Sequence, residues 1–70
     1  MRYYVRWTFT RDRSEQVAPR AYSTITQALD SACDVISLHR PADIWVVDDR
    51  GDRRAVDFEV RSYRRTRRQP

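Results

Sequence analysis

The sequence predicts a small α+β domain, in which a single helix packs on one face of a mostly antiparallel sheet of three to four strands, in the order β(β)αββ. Three observations predict it. An N-terminal run alternates apolar and polar residues. A central run repeats apolar residues at helical spacing behind a capping signal. A later run is apolar on both faces and leads into a glycine turn. Seventy residues make one domain at most, and a chain of that size buries only about 60% of the surface its unfolded form exposes. With 40% hydrophobic and 11% aromatic residues there is enough apolar material to fold, despite 34% charge.

The elements follow in order. Tyr3, Val5, Trp7 and Phe9 alternate with Tyr4, Arg6, Thr8 and Thr10, which predicts a half-buried first strand over 3–10. A polar turn over 11–15 leads to a return over 16–22, where Pro19 lacks a backbone donor and confines the segment to a ragged edge strand. Thr24-Ile25-Thr26-Gln27 fits a capping box: the Thr24 hydroxyl accepts from the Gln27 amide, and the Gln27 side chain reaches back to the Thr24 amide. Ile25, Leu29, Ala32 and Ile36, widened by Ala28, Cys33 and Val35, form the apolar stripe of a helix that runs to about His39. Pro41 disfavours helical geometry at Arg40 and stops it. Ile44-Trp45-Val46-Val47, within 43–48, is apolar on both faces and reads as a central strand. Asp49-Arg50-Gly51 turns the chain, with Gly51 supplying a positive φ. The segment 54–63 then alternates Val56, Phe58 and Val60 with Asp57, Glu59, Arg61 and Tyr63, and is expected to return as the partner strand. Residues 1–63 are thus expected to form the domain.

All fourteen basic residues are arginine. The last ten residues hold five of them (Arg61, Arg64, Arg65, Arg67, Arg68) and no acid, whereas the first sixty hold nine against ten acids. A nearly neutral body therefore carries a basic end, and residues 64–70, without an apolar side chain, are expected to be a disordered tail. The five arginines are candidate phosphate contacts, for weak, non-specific nucleic-acid binding, or else a solvated terminus.

The capped helix start Thr24-Ile25-Thr26-Gln27-Ala28 and the turn Asp48-Asp49-Arg50-Gly51, over about residues 22–60, resemble short bacterial domains of the ββαβ(β) type, whose function is unknown. The resemblance implies the fold and transfers no site residue.

Several chemistries are poorly served by this composition. One cysteine, Cys33, makes no intrachain disulfide, and one histidine, His39, gives no four-ligand zinc site. A single glycine excludes a glycine-rich phosphate loop. Asp48, Asp49 and Asp52 lack the alternation that turns successive oxygens toward one cation, so they read as turn residues. Arg50-Gly51-Asp52 matches an integrin-binding tripeptide, which three letters produce by chance. Cys33 sits in the apolar stripe, and His39 lacks a nucleophile at a convincing spacing, so no catalysis, cofactor or metal is expected. A toxin-like nuclease, which would need His39 in its active site, is a weaker reading. The chain lacks the roughly 20-residue apolar stretch of a membrane helix and begins with a charged alternating run, so a soluble cytoplasmic protein is expected.

The remaining candidate is the sheet face the helix leaves open. Tyr4, Arg6, Thr8 and Tyr63 are expected there, with either Trp45 and Val47 or Ile44 and Val46 as an exposed apolar pair inside a polar rim. The function expected is a small non-enzymatic interaction module, forming a homodimer or docking a protein partner through that face. The alternative is a nucleic-acid accessory protein using the arginine-rich end.

Overall fold

The computed structural model describes residues 1–68; Gln69, Pro70 and the side chain of Arg68 lie outside the described residues. The chain runs β1 (Tyr3–Thr8), β2 (Gln16–Val17), α1 (Ile25–His39), β3 (Asp43–Asp48), β4 (Arg53–Ala55) and α2 (Asp57–Arg68). The four strands form one antiparallel sheet in the order β2-β1-β3-β4. This is a small α+β fold with its helices on one face of the sheet. Val5, Trp7, Ile44, Val46 and Ala55 on that face meet Ala28, Ala32, Val35 and Ile36 of α1 and Val60 of α2 in one core.

Local chemistry accounts for most boundaries. Strand β2 is short, but backbone bonds continue along β1 from Ala18 N to Val5 O (3.0 Å) and reciprocally between Tyr3 and Tyr22 (2.8 Å each), with Pro19 in the interruption. Thr24 caps α1, its hydroxyl accepting from Gln27 N at 3.2 Å. The Gln27 side chain instead accepts from the Ser23 hydroxyl at 3.0 Å, so only half of the expected box forms. Helix α1 ends where Arg40 turns left-handed (φ 49°), its amide donating to Ile36 O just before Pro41. In the β3–β4 turn, Asp48 accepts from Gly51 N through its carbonyl and from Arg50 N and Asp52 N through its carboxylate. Gly51 takes the left-handed φ of 86°.

The expected strand over 54–63 is corrected. The strand stops at Ala55 and the chain enters α2. The Glu59 carboxylate accepts from Val56 N at 3.2 Å, the reach-back arm of a capping box, and Asp57 and Glu59 stand at the positive end of the helix dipole. Asp57 also accepts from Ile44 N at 3.1 Å, taking the β3 amide that a longer β4 would have bonded, while its other oxygen holds Arg61 at 2.8 Å. Val60 is fully buried, but Phe58 is 72% exposed, so the three-residue alternation was no guide to the buried face.

The expected disordered tail is likewise corrected through residue 68, because α2 continues to Arg68. Its arginines find partners on the body: Arg67 with Asp30 (3.1 Å), Arg64 with the Ser37 hydroxyl (3.2 Å), and Arg61 with the Pro41 carbonyl (3.1 Å). The boundary expected after residue 63 therefore falls inside a helix.

Candidate interaction surface

Because strand side chains alternate, placing Val5, Trp7, Ile44 and Val46 under the helices sends Tyr4, Arg6 and Thr8 of β1 and Asp43, Trp45 and Val47 of β3 to the open face. The pairs are Tyr4 with Val47, Arg6 with Trp45, and Thr8 with Asp43. Val17 of β2, opposite Arg6, and Arg53 of β4, opposite Val47, complete the face.

Of the two possible apolar pairs, Trp45 and Val47 take the open side. They are not exposed, however: Trp45 is 3% accessible and Val47 2%. The Arg53 guanidinium lies 4.3 Å from the centroid of the Trp45 ring and roofs it. That cation–π arrangement covers an aromatic without a second layer of chain. On the other side of Trp45, Arg6 pairs with Glu15 at 3.6 Å, and its Nε is buried with no hydrogen-bond partner. A line of side-chain contacts thus runs obliquely across the face from Glu15 through Arg6 and Trp45 to Arg53, and Val17, opposite Arg6, is 50% exposed. Glu15, Val17 and Arg53 escape a reading of the sequence as isolated strands, since their neighbours Arg6, Trp45 and Val47 lie on other strands of the sheet.

Tyr63 is corrected to the other side of the molecule. Its hydroxyl donates to Asp30 of α1 at 2.6 Å, and Arg67 shares the same oxygen. The hydrogen bond from Tyr63, and then Arg67, hold the Asp30 carboxyl below the usual carboxylate range, while Asp30 pushes the Tyr63 hydroxyl up. The candidate phosphate contacts Arg61, Arg64, Arg65 and Arg67 lie on α2, Arg65 donating to the Ser62 hydroxyl at 3.1 Å. The Arg68 side chain is outside the described residues.

Other chemistry-bearing groups are engaged elsewhere. Cys33 is 1% accessible, and burial pushes its thiol up, away from the reactive thiolate. The His39 ring stacks on Trp7 with centroids 5.8 Å apart. Among the described residues no three His, Cys, Asp or Glu side chains group as metal ligands, and no helix is long and apolar enough to cross a membrane. A recess of about 810 Å³ between α1 and the 20–23 segment sets Arg2 and Arg20 against Asp30 and Asp34, with no nucleophile paired to a base. Comparison with protein-family models, with curated proteins and with solved structures found no match, so these roles rest on the geometry of this chain alone.

Proposed function

We propose that the protein is a small non-enzymatic interaction module that docks a protein, either a second copy of itself or another chain, on its open sheet face. The observation that carries the reading is the Arg53–Trp45 stack at 4.3 Å, standing on a face that no helix covers. Arginine is among the residue types that dominate interface energetics, and here Arg53 is held in place on the buried Trp45 ring while Val17, at the other edge of the same face, is half exposed. The edges of the sheet suit docking less well. Strands β2 and β4 have only two and three residues, too few for an added strand to find a ladder. The placements of Cys33 and His39 favour a non-enzymatic role.

A photo-crosslinking residue introduced at position 17 or at position 66 tests this in cells. Protein adducts are expected from position 17, on the open face, and not from Thr66 on α2. Adducts from 66 with none from 17 would overturn the reading, and nucleic acid captured at 66 would favour the arginine-helix alternative.

A further inference from the structure

We infer that the recess between α1 and the 20–23 segment binds a short free peptide as its zwitterion, with the peptide carboxylate on Arg2 and Arg20 and the peptide ammonium on Asp34. Helix α1 lies on the covered side of the sheet, so this site is separate from the open face and stands whether or not that face docks a protein.

The two walls of the recess carry opposite charge. One is the chain around Arg2 and Arg20; the other is a stripe of α1 on which Gln27, Ser31 and Asp34 recur at helical spacing. Arg2, Arg20 and Asp34 form no ion pair among the described residues, so charges of both signs line the recess unmatched. Asp30 belongs to the same wall as Asp34, but one of its oxygens already accepts from Tyr63 (2.6 Å) and Arg67 (3.1 Å), which leaves Asp34 as the wall's unmatched anion. A simple anion would meet the repulsion of Asp34, and a simple cation that of two guanidinium groups. A dipolar ligand is complementary to both walls.

Between the charges the recess offers hydrogen-bond donors. Tyr22 is fixed at both ends: its backbone exchanges bonds with Tyr3 (2.8 Å each), and its hydroxyl donates to Ser31 Oγ at 2.8 Å. Because Ser31 accepts there, its own hydroxyl hydrogen is left to donate to a ligand. Gln27 accepts from the Ser23 hydroxyl through Oε1 at 3.0 Å, which leaves its Nε2 hydrogens in the same position. The Arg20 guanidinium is held over the Tyr22 ring, 5.9 Å from its centroid. Donors set between an anion-binding and a cation-binding wall match the carbonyls of a peptide backbone. The size agrees: about 810 Å³ corresponds to a cube roughly 9 Å on edge, and two or three extended residues of about 3.3–3.6 Å each span roughly 7–11 Å.

Heteronuclear NMR titration of the isotope-labelled full chain at low salt tests this, with trialanine, N-acetyltrialanine, trialanine amide and alanine as probes. Trialanine is expected to bind in the millimolar range and to shift the amides of residues 20–23 and 27–34. Blocking either charged end is expected to weaken binding about fivefold, the upper range for a solvent-accessible ion pair. Alanine, too short to reach both walls, is expected to lose at least as much. In Arg20→Gln and in Arg2→Gln the advantage of trialanine over its amide should shrink while its advantage over the acetylated peptide stays; in Asp34→Asn the reverse is expected. Retained dispersion of each spectrum confirms that the variant is folded. Absence of a saturable shift at residues 20–34 by about 20 mM trialanine overturns the inference, since a millimolar site would then be nearly filled. Blocked peptides that bind as tightly as trialanine overturn it as well, because the charged walls would be idle. Alanine binding as tightly as trialanine overturns the peptide and makes a free amino acid the ligand, and variants that weaken all probes alike overturn the assigned orientation.

Discussion

At the scale of single residues, Asp48 holds the geometry on which the proposed surface depends. It is 3% accessible, and its carboxylate accepts from the amides of Arg50 (2.9 Å) and Asp52 (3.1 Å). Those two bonds fix the turn that aims Arg53, one residue beyond Asp52, at the face carrying Trp45. Hydrogen bonds to a charged group contribute about 1.5–3 kcal/mol each, less where water reaches the freed donors, as it does at Arg50 and Asp52. Asp48→Ala is therefore expected to cost about 2 kcal/mol in a urea titration, and Asp48→Asn, which keeps an acceptor, about half as much. A change under about 0.5 kcal/mol for Asp48→Ala, the range of an ordinary surface substitution, would show that the turn holds without the carboxylate.

At the scale of elements, what was legible in the sequence was whatever is fixed by neighbours in the chain. The β1 alternation, the Thr24 cap, the α1 stripe, the Pro41 stop and the Gly51 turn are all decided within a few residues, and all stand. Helix α2 was not legible from apolar pattern, because Val60 is its only fully buried apolar side chain and the rest of its inner face is polar. Tyr63, Arg64 and Arg67 meet α1 through Asp30 and Ser37, pairings that require both helices to be in place. The local signal was present in acids at the start and arginines at the end, matched to the helix dipole. The same polar inner face makes the docking of α2 dependent on pH. The lowered Asp30 carboxyl contributes stability above its unfolded value of about 4 and loses it as pH falls through the folded value. The raised Tyr63 hydroxyl contributes below its unfolded value of about 10 and loses it as pH rises through the folded value. The difference in thermal midpoint between wild type and Tyr63→Phe should therefore be level between about pH 5 and 9 and shrink on either side. A difference that varies through neutrality would assign the contact to another titrating group.

At the scale of the whole molecule, the net charge of +4 is distributed differently from what the bare sequence suggests, and this decides how the chain meets nucleic acid. As a free arm, the five C-terminal arginines would give log affinity against log salt a slope of about −0.9 × 5, or roughly −4.5. In the folded chain Arg61 is held by Asp57 at 2.8 Å and Arg67 by Asp30 at 3.1 Å, so two of the five already have counter-charges. Three remain at most, for a slope no steeper than about −2.7. Base stacking adds little, since Trp45 is 3% accessible beneath Arg53. Any binding to duplex DNA is accordingly expected to be weak, non-specific and lost near physiological salt. Replacing both Arg64 and Arg65 with glutamine leaves the two carboxylate pairs intact and should flatten the slope by about 1.8, with helicity unchanged. A wild-type slope near −4.5 would mean that the Asp30 and Asp57 pairs open when DNA binds, and α2 would then be a releasable basic arm rather than a docked helix.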